Sequence, residues 1–154
     1  RYDDSSLNQT IATRLNRQLS QSDLLRVENQ GMSWQELQTA RTKGDFQLIR
    51  SGWCADFNDP VAFLNLFYSK SPDNKNGYKN AEFDRLFESA MTTTSEKMRL
   101  ENYAKLKGIV QQEYLVLPIF QYSTPVYLAP SIMGAQVNSV GTIYSKDLWR
   151  KVKG

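Results

Sequence analysis

The sequence predicts an α/β fold, helices laid on an open sheet, and three observations carry that prediction. Apolar residues recur at helical spacing along much of the chain. Short apolar runs of strand length alternate with these helical stretches, and capping residues mark where helices start and stop.

Leu7, Ile11, Leu15 and Leu19 recur every four residues behind Ser5-Ser6, which predicts a first amphipathic helix. Leu24-Leu25-Arg26-Val27 then reads as a short strand. Ser33-Trp34-Gln35-Glu36 is a capping box that opens a second helix, and Gly44 stops it. Phe46 to Ile49 follows as a second strand and runs into Arg50-Ser51-Gly52-Trp53. Asp59-Pro60 supplies a cap followed by proline at the first helical position, so Val61 to Phe67 is a short apolar helix. Ser71 to Gly77 is a polar loop. Asn80 caps a helix carrying Phe83, Leu86, Phe87 and Met91. Thr93-Thr94-Ser95-Glu96 reads as a second capping box, ahead of a helix with Tyr103, Leu106, Ile109 and Val110 on one face. Leu115 to Tyr122 is a buried-looking strand, with Val126-Tyr127-Leu128 as its continuation. The helix-then-strand rhythm near the start suggests βαβ units, whose sheets take ligands at strand ends.

Composition narrows the functions. A chain of 154 residues, 40% hydrophobic and 12% aromatic, is expected to form one domain spanning residues 1–154 with its own core. No apolar run approaches the roughly 18–20 residues of a membrane span. The chain starts in mid-pattern at Arg1-Tyr2-Asp3-Asp4, and any leader would belong to an upstream region. The net charge is +3, from 19 basic and 16 acidic residues well mixed. Arg150-Lys151-Val152-Lys153 is the densest basic stretch, and a solvated tail explains it better than nucleic-acid binding, which needs a basic face. The chain has no histidine, so neither a Ser-His nor a Cys-His nucleophile pair can be built, and no imidazole can hold a metal. Its one cysteine, Cys54, cannot form an intrachain disulfide.

The stretch Arg50 to Pro60 packs unusual residue types together at a strand end. Gly52 lets another backbone approach closely. Trp53 offers a broad apolar surface with one polar edge. Asp56 is suited to accept charge-assisted hydrogen bonds from an ammonium group. Spacing alone leaves open a plainer reading: a turn in which Asp59 caps a helix and Trp53 belongs to the core.

Trp53-Cys54-Ala55-Asp56-Phe57-Asn58-Asp59-Pro60 closely resembles the WCADYNEP-type segment of enteric oligopeptide-binding proteins, in the peptide/nickel family of extracellular solute-binding proteins. The resemblance continues through Phe63-Leu64-Asn65, Tyr78-Lys79, Phe83-Asp84, Tyr103-Ala104-Lys105 and Leu117-Pro118-Ile119 to Ile143-Tyr144-Ser145-Lys146-Asp147-Leu148. It spans this chain but only the last third of a typical member. It implies the C-terminal lobe of a two-lobed type II periplasmic binding protein, with an open mixed sheet and flanking helices.

Such a protein is a receptor that delivers short peptides to the membrane permease subunits of an ABC importer. The expectation is a periplasmic or lipid-anchored monomer without cofactor, catalytic activity or nucleic-acid partner. Members bind an extended peptide between two lobes by pairing its backbone with protein strands. A single lobe is therefore expected to bind weakly. By resemblance, Asp56 would pair with the peptide α-ammonium, and Gly52 and Cys54 would lend backbone groups. Arg50 would meet the carboxylate of short peptides, and Trp53, Trp34, Arg41 and Tyr122 would line side-chain pockets.

Asn8 stands where one type of oligopeptide receptor has a histidine that helps hold the ligand carboxylate, and asparagine, which carries no charge, would hold it less strongly. Cys54 resembles a family cysteine bonded to a partner well upstream. Three alternatives follow: a same-fold receptor for dipeptide, haem or nickel; a ligand-sensing domain of a cytoplasmic regulator; and an enzyme using Asp56 and Asp59 as a carboxylate pair.

Overall fold

The computed structural model describes residues 1–151. Val152 and Lys153 of the basic tail lie outside the described residues. The chain falls into two compact units, Arg1–Trp53 with Asn65–Asp84, and Cys54–Leu64 with the chain from Arg85 onward.

The first unit opens as a parallel βαβ unit. Strand β1 (Tyr2–Asp3) leads into helix α1 (Ser6–Leu19), and strand β2 (Gly31–Met32) returns parallel to β1, with Tyr2 opposite Gly31 and Asp3 opposite Met32. Helix α2 (Trp34–Lys43) follows. Its capping box is formed as predicted: Glu36 N–H donates to Ser33 Oγ at 3.3 Å, and Ser33 N–H donates to Glu36 Oε2 at 2.9 Å. Gly44 ends the helix at φ 68°, in the left-handed region that a Cβ would penalise. Leu37 and Ala40 are the buried face of α2.

No strand forms at the predicted Phe46–Ile49, where the backbone bends at residues 47 and 48, but two hydrogen bonds tie the end of this stretch to Arg1. The amino group of Arg1 donates to the Leu48 carbonyl at 2.7 Å, and Arg50 N–H donates to the Arg1 carbonyl at 2.8 Å. That alternation places Ile49 opposite Arg1 in parallel register, so residues 48–50 extend the pairing on the far side of β1. The strand expected at Leu24–Val27 is instead a turn. Leu25 N–H donates to the Ser22 carbonyl and Leu24 N–H to Ser22 Oγ, both at 3.3 Å. Those bonds take backbone groups that a ladder would need. The pairing falls at Gly31–Met32 instead.

Beyond residue 64, a 3₁₀ turn (Asn65–Phe67) leads to the polar loop, where Asn74 binds the Tyr78 carbonyl at 2.8 Å and accepts from Tyr78 N–H at 3.2 Å. Phe67, Tyr78 and Phe83 pack edge-to-face, with ring centroids 5.9–6.4 Å apart. Asn80 Oδ1 accepts from Glu82 and Phe83 N–H at 2.9 and 3.1 Å, the predicted cap of helix α4 (Ala81–Thr92).

In the second unit, Asp59 caps the short helix α3 (Val61–Leu64) by accepting from Val61 N–H at 2.8 Å. Helix α5 spans Glu96–Gln112. Its cap is Ser95, whose Oγ accepts from Met98 N–H at 3.4 Å, two residues beyond the Thr93 start of the expected box. Thr93 instead accepts from Ser95 N–H at 3.2 Å. Val61, Leu64, Leu86, Phe87, Ala90, Tyr103 and Leu106 are buried, and Asn102 ties α5 to Ser89 of α4 at 3.0 Å.

The strand predicted at Leu115–Tyr122, and its continuation at Val126–Leu128, carry no ladder among the described residues. A strand exists only where a neighbouring backbone pairs with it in register, and among the described residues no such pairing involves these runs. Val116, Leu117, Ile119 and Phe120 are exposed, so the buried-looking pattern is not met by burial. Strands β3 (Ile132–Met133) and β4 (Trp149–Arg150) form a short antiparallel pair.

Candidate functional site

The predicted ligand-holding residues fall in both units. In the first, the carboxyl ends of the parallel segments bring Asp3, the last residue of β1, together with Arg50. Arg50 Nη1 lies 3.3 Å from Asp3 Oδ2, with only 22% and 14% of the two side chains exposed. Asn8, in the first turn of α1, is buried and donates from Nδ2 to Asp3 Oδ1 at 2.6 Å. Both carboxylate oxygens of Asp3 are thus engaged, one by each side chain that the resemblance assigned to a ligand carboxylate. Burial by itself would raise the Asp3 carboxyl, but hydrogen bonds from Asn8 and Ser5 and the charge of Arg50 hold it below its ordinary value.

Asp3 is the residue that sequence reasoning missed. Nothing in the local sequence Arg1-Tyr2-Asp3-Asp4 marks it, and its partner lies 47 residues away.

Trp34 and Arg41 are seven residues apart on α2, which puts them within about 20° of each other around the helix axis. Trp34 is exposed and Arg41 half-buried, alongside the buried stripe of Leu37 and Ala40. Trp34 therefore takes no part in the core. Gly52 and Trp53 are exposed at the end of the first unit.

In the second unit, Cys54 is exposed and unbonded, and Asp56 is exposed. Tyr122 is also exposed, its ring 4.7 Å from that of Phe120 and steeply inclined to it. Asp59 has structural partners: besides capping α3 it accepts a hydrogen bond from Tyr103. Burial, that bond and the Asp59 charge push the Tyr103 hydroxyl up to about 12, against a smaller opposing pull from Arg99. A carboxylate so occupied is poorly placed to share catalysis with Asp56. Phe57, Val61, Ala90, Met91 and Arg99 line an open depression beside this pair.

The chain is similar to known binding proteins across nearly its whole length. It is 94% identical over 153 residues, 99% of this chain and 30% of the other, to a Haemophilus influenzae protein provisionally named as a binding protein. It is 28% identical to the periplasmic oligopeptide-binding protein of Salmonella typhimurium, over 96% of this chain and 27% of that one. The solved structure of the Escherichia coli murein tripeptide binding protein matches with a TM-score of 0.82 at 26% identity, covering 97% of this chain and 30% of that structure. These relatives carry the type II periplasmic binding protein fold, and their names describe binding proteins. The chain spans less than a third of the length of the curated relatives it matches. No family model matches it.

Proposed function

We propose that this chain, which belongs to the family of periplasmic oligopeptide-binding proteins, forms part of a receptor that captures short peptides outside the cytoplasm and delivers them to an ABC-type importer. No covalent bond is made or broken in that role, and no cofactor is required. The observation that carries the reading is the Gly52–Asp56 segment, largely exposed shortly after the backbone bonds that tie residues 48 and 50 to Arg1, and ending in a carboxylate.

An extended peptide laid against such a segment pairs its backbone with that of Gly52 and Cys54, which gives affinity without sequence preference. Asp56 takes the peptide's α-ammonium. Trp53, Trp34, Arg41 and Tyr122, all at least partly exposed, supply apolar and cationic surface for peptide side chains. The duties of Asp59 as cap and tyrosine partner support a binding role over the carboxylate-pair enzyme.

The test is calorimetric titration of the full-length protein with trialanine and N-acetyl-trialanine, each as the C-terminal amide as well as the free acid. Leaving one member of a desolvated ion pair unmatched costs about 3–5 kcal/mol. Acetylation should therefore weaken binding by two to three orders of magnitude. Equal binding of the free-amine and acetylated peptides would remove Asp56 as the ammonium anchor, and binding of none would remove the peptide reading.

A further inference from the structure

The corner built by Asp3, Asn8 and Arg50 is already filled by a carboxylate of the chain itself. Asp3 Oδ2 faces Arg50 Nη1 at 3.3 Å, and Asp3 Oδ1 accepts from Asn8 Nδ2 at 2.6 Å. Asp3 closes β1 and Arg50 closes the neighbouring parallel run, so the pair stands at the carboxyl end of the strands, where sheets of this kind take ligands. We infer that Asp3 is a specificity-determining positioning residue: it neutralises Arg50 from within, so the receptor selects peptides that present no free carboxylate at this corner. Such ligands are C-terminally amidated peptides, or chains long enough to run past it. This deepens the peptide-binding reading above and rests on it.

Three physical points support the inference. A guanidinium already paired with one carboxylate gains less from a second, and the second carboxylate is repelled by the first. Both partners are largely shielded, at 14% and 22% side-chain exposure, so water screens that repulsion only in part. The Asn8 amide must turn its NH₂ toward Asp3, since its oxygen would be repelled there. Asn8 Oδ1 is consequently buried without a hydrogen-bond partner among the described residues. It adds the negative end of a second dipole to the same corner, so the local potential that an arriving anion meets is less positive than a lone guanidinium would give.

Alanine peptides of two to five residues, each as the free acid and as the C-terminal amide, would be titrated by calorimetry into the full-length protein. Wild type should bind the amide at least as tightly as the acid at every length. Asp3→Asn keeps the size of the side chain and removes its charge. It should tighten the acid by about tenfold at the length that reaches Arg50, and leave the amide little changed. Asp3→Glu, which restores the charge, should return the wild-type ratio. A purely structural role for Asp3 would shift both peptide forms together.

Wild-type preference for acids by tenfold or more overturns the inference even if the variants do not fold. An acid-to-amide ratio unmoved by Asp3→Asn at every length overturns it as well. In both cases peptides still bind and the receptor reading stands, whereas failure of every peptide in either form brings down the receptor reading and this inference with it.

Discussion

Asp3 in the first unit and Asp59 in the second are the same side chain put to opposite uses. Asp3 faces a guanidinium and an amide NH₂, groups that favour its charge, and its carboxyl is held below its ordinary value. Asp59 faces a backbone N–H and a phenol, and the Tyr103 hydroxyl beside it is pushed up to about 12. One acid balances a cation at the end of a parallel sheet and so sets local charge. The other fixes the start of a helix and holds a buried ring. The difference teaches that a carboxylate's role is decided by which donors surround it, not by its spacing from other acids. Asp56 and Asp59 look like a pair in the sequence, yet Asp59 is occupied by structure.

The sharpest test of the contrast is Asp59→Ala. It removes the cap of α3, typically worth about 1 kcal/mol, and a charge-assisted bond from a buried tyrosine, worth about 2 kcal/mol. Urea unfolding should report a loss of about 3 kcal/mol, while peptide affinity changes little beyond that loss. A loss under about 1 kcal/mol would mean that Asp59 is not the structural member of the two.

The alkaline limb separates them next. A phenol whose folded pKa lies above its unfolded 10.0 contributes stability that is complete below pH 10 and is lost as pH rises through about 12. Wild type should lose about 2 kcal/mol across that window, a loss missing from Tyr103→Phe. Parallel curves for the two proteins would show that another group governs the alkaline limb.

What could be read from the sequence followed the range of the interactions involved. The Ser33–Glu36 box, the Gly44 stop, and the Asn80 and Asp59 caps were all legible because each is closed within a few residues. Strands were harder. Gly31-Met32 has no strand-like composition and pairs only because Tyr2 and Asp4 reach Gln30 and Met32. Leu115–Tyr122 has the composition but forms no strand among the described residues, so its pattern states a need for cover rather than a place in a sheet. The candidate site divided the same way. The Trp53–Pro60 motif is contiguous and was recognised. Asp3, which engages two of the predicted ligand-holding residues, takes its meaning from Arg50, 47 residues on.

The acid limb gives the smallest effect and the most specific one. A carboxyl held below its ordinary value contributes stability that is fully present above the unfolded pKa of 3.8 and is lost as pH falls through the lower folded value. Asp3→Asn has no charge to lose. At pH 7 it should therefore be less stable than wild type by about 1 kcal/mol, the scale of a partly shielded ion pair with one charged hydrogen bond. On acidification the two stability curves should converge below pH 3.8, because protonated Asp3 and asparagine are then both neutral partners for Arg50. A gap that persists unchanged to pH 2 would mean that Asp3 acts through its shape alone. Arg50 would then keep its charge for a ligand, and the contrast between the two carboxylates would reduce to packing.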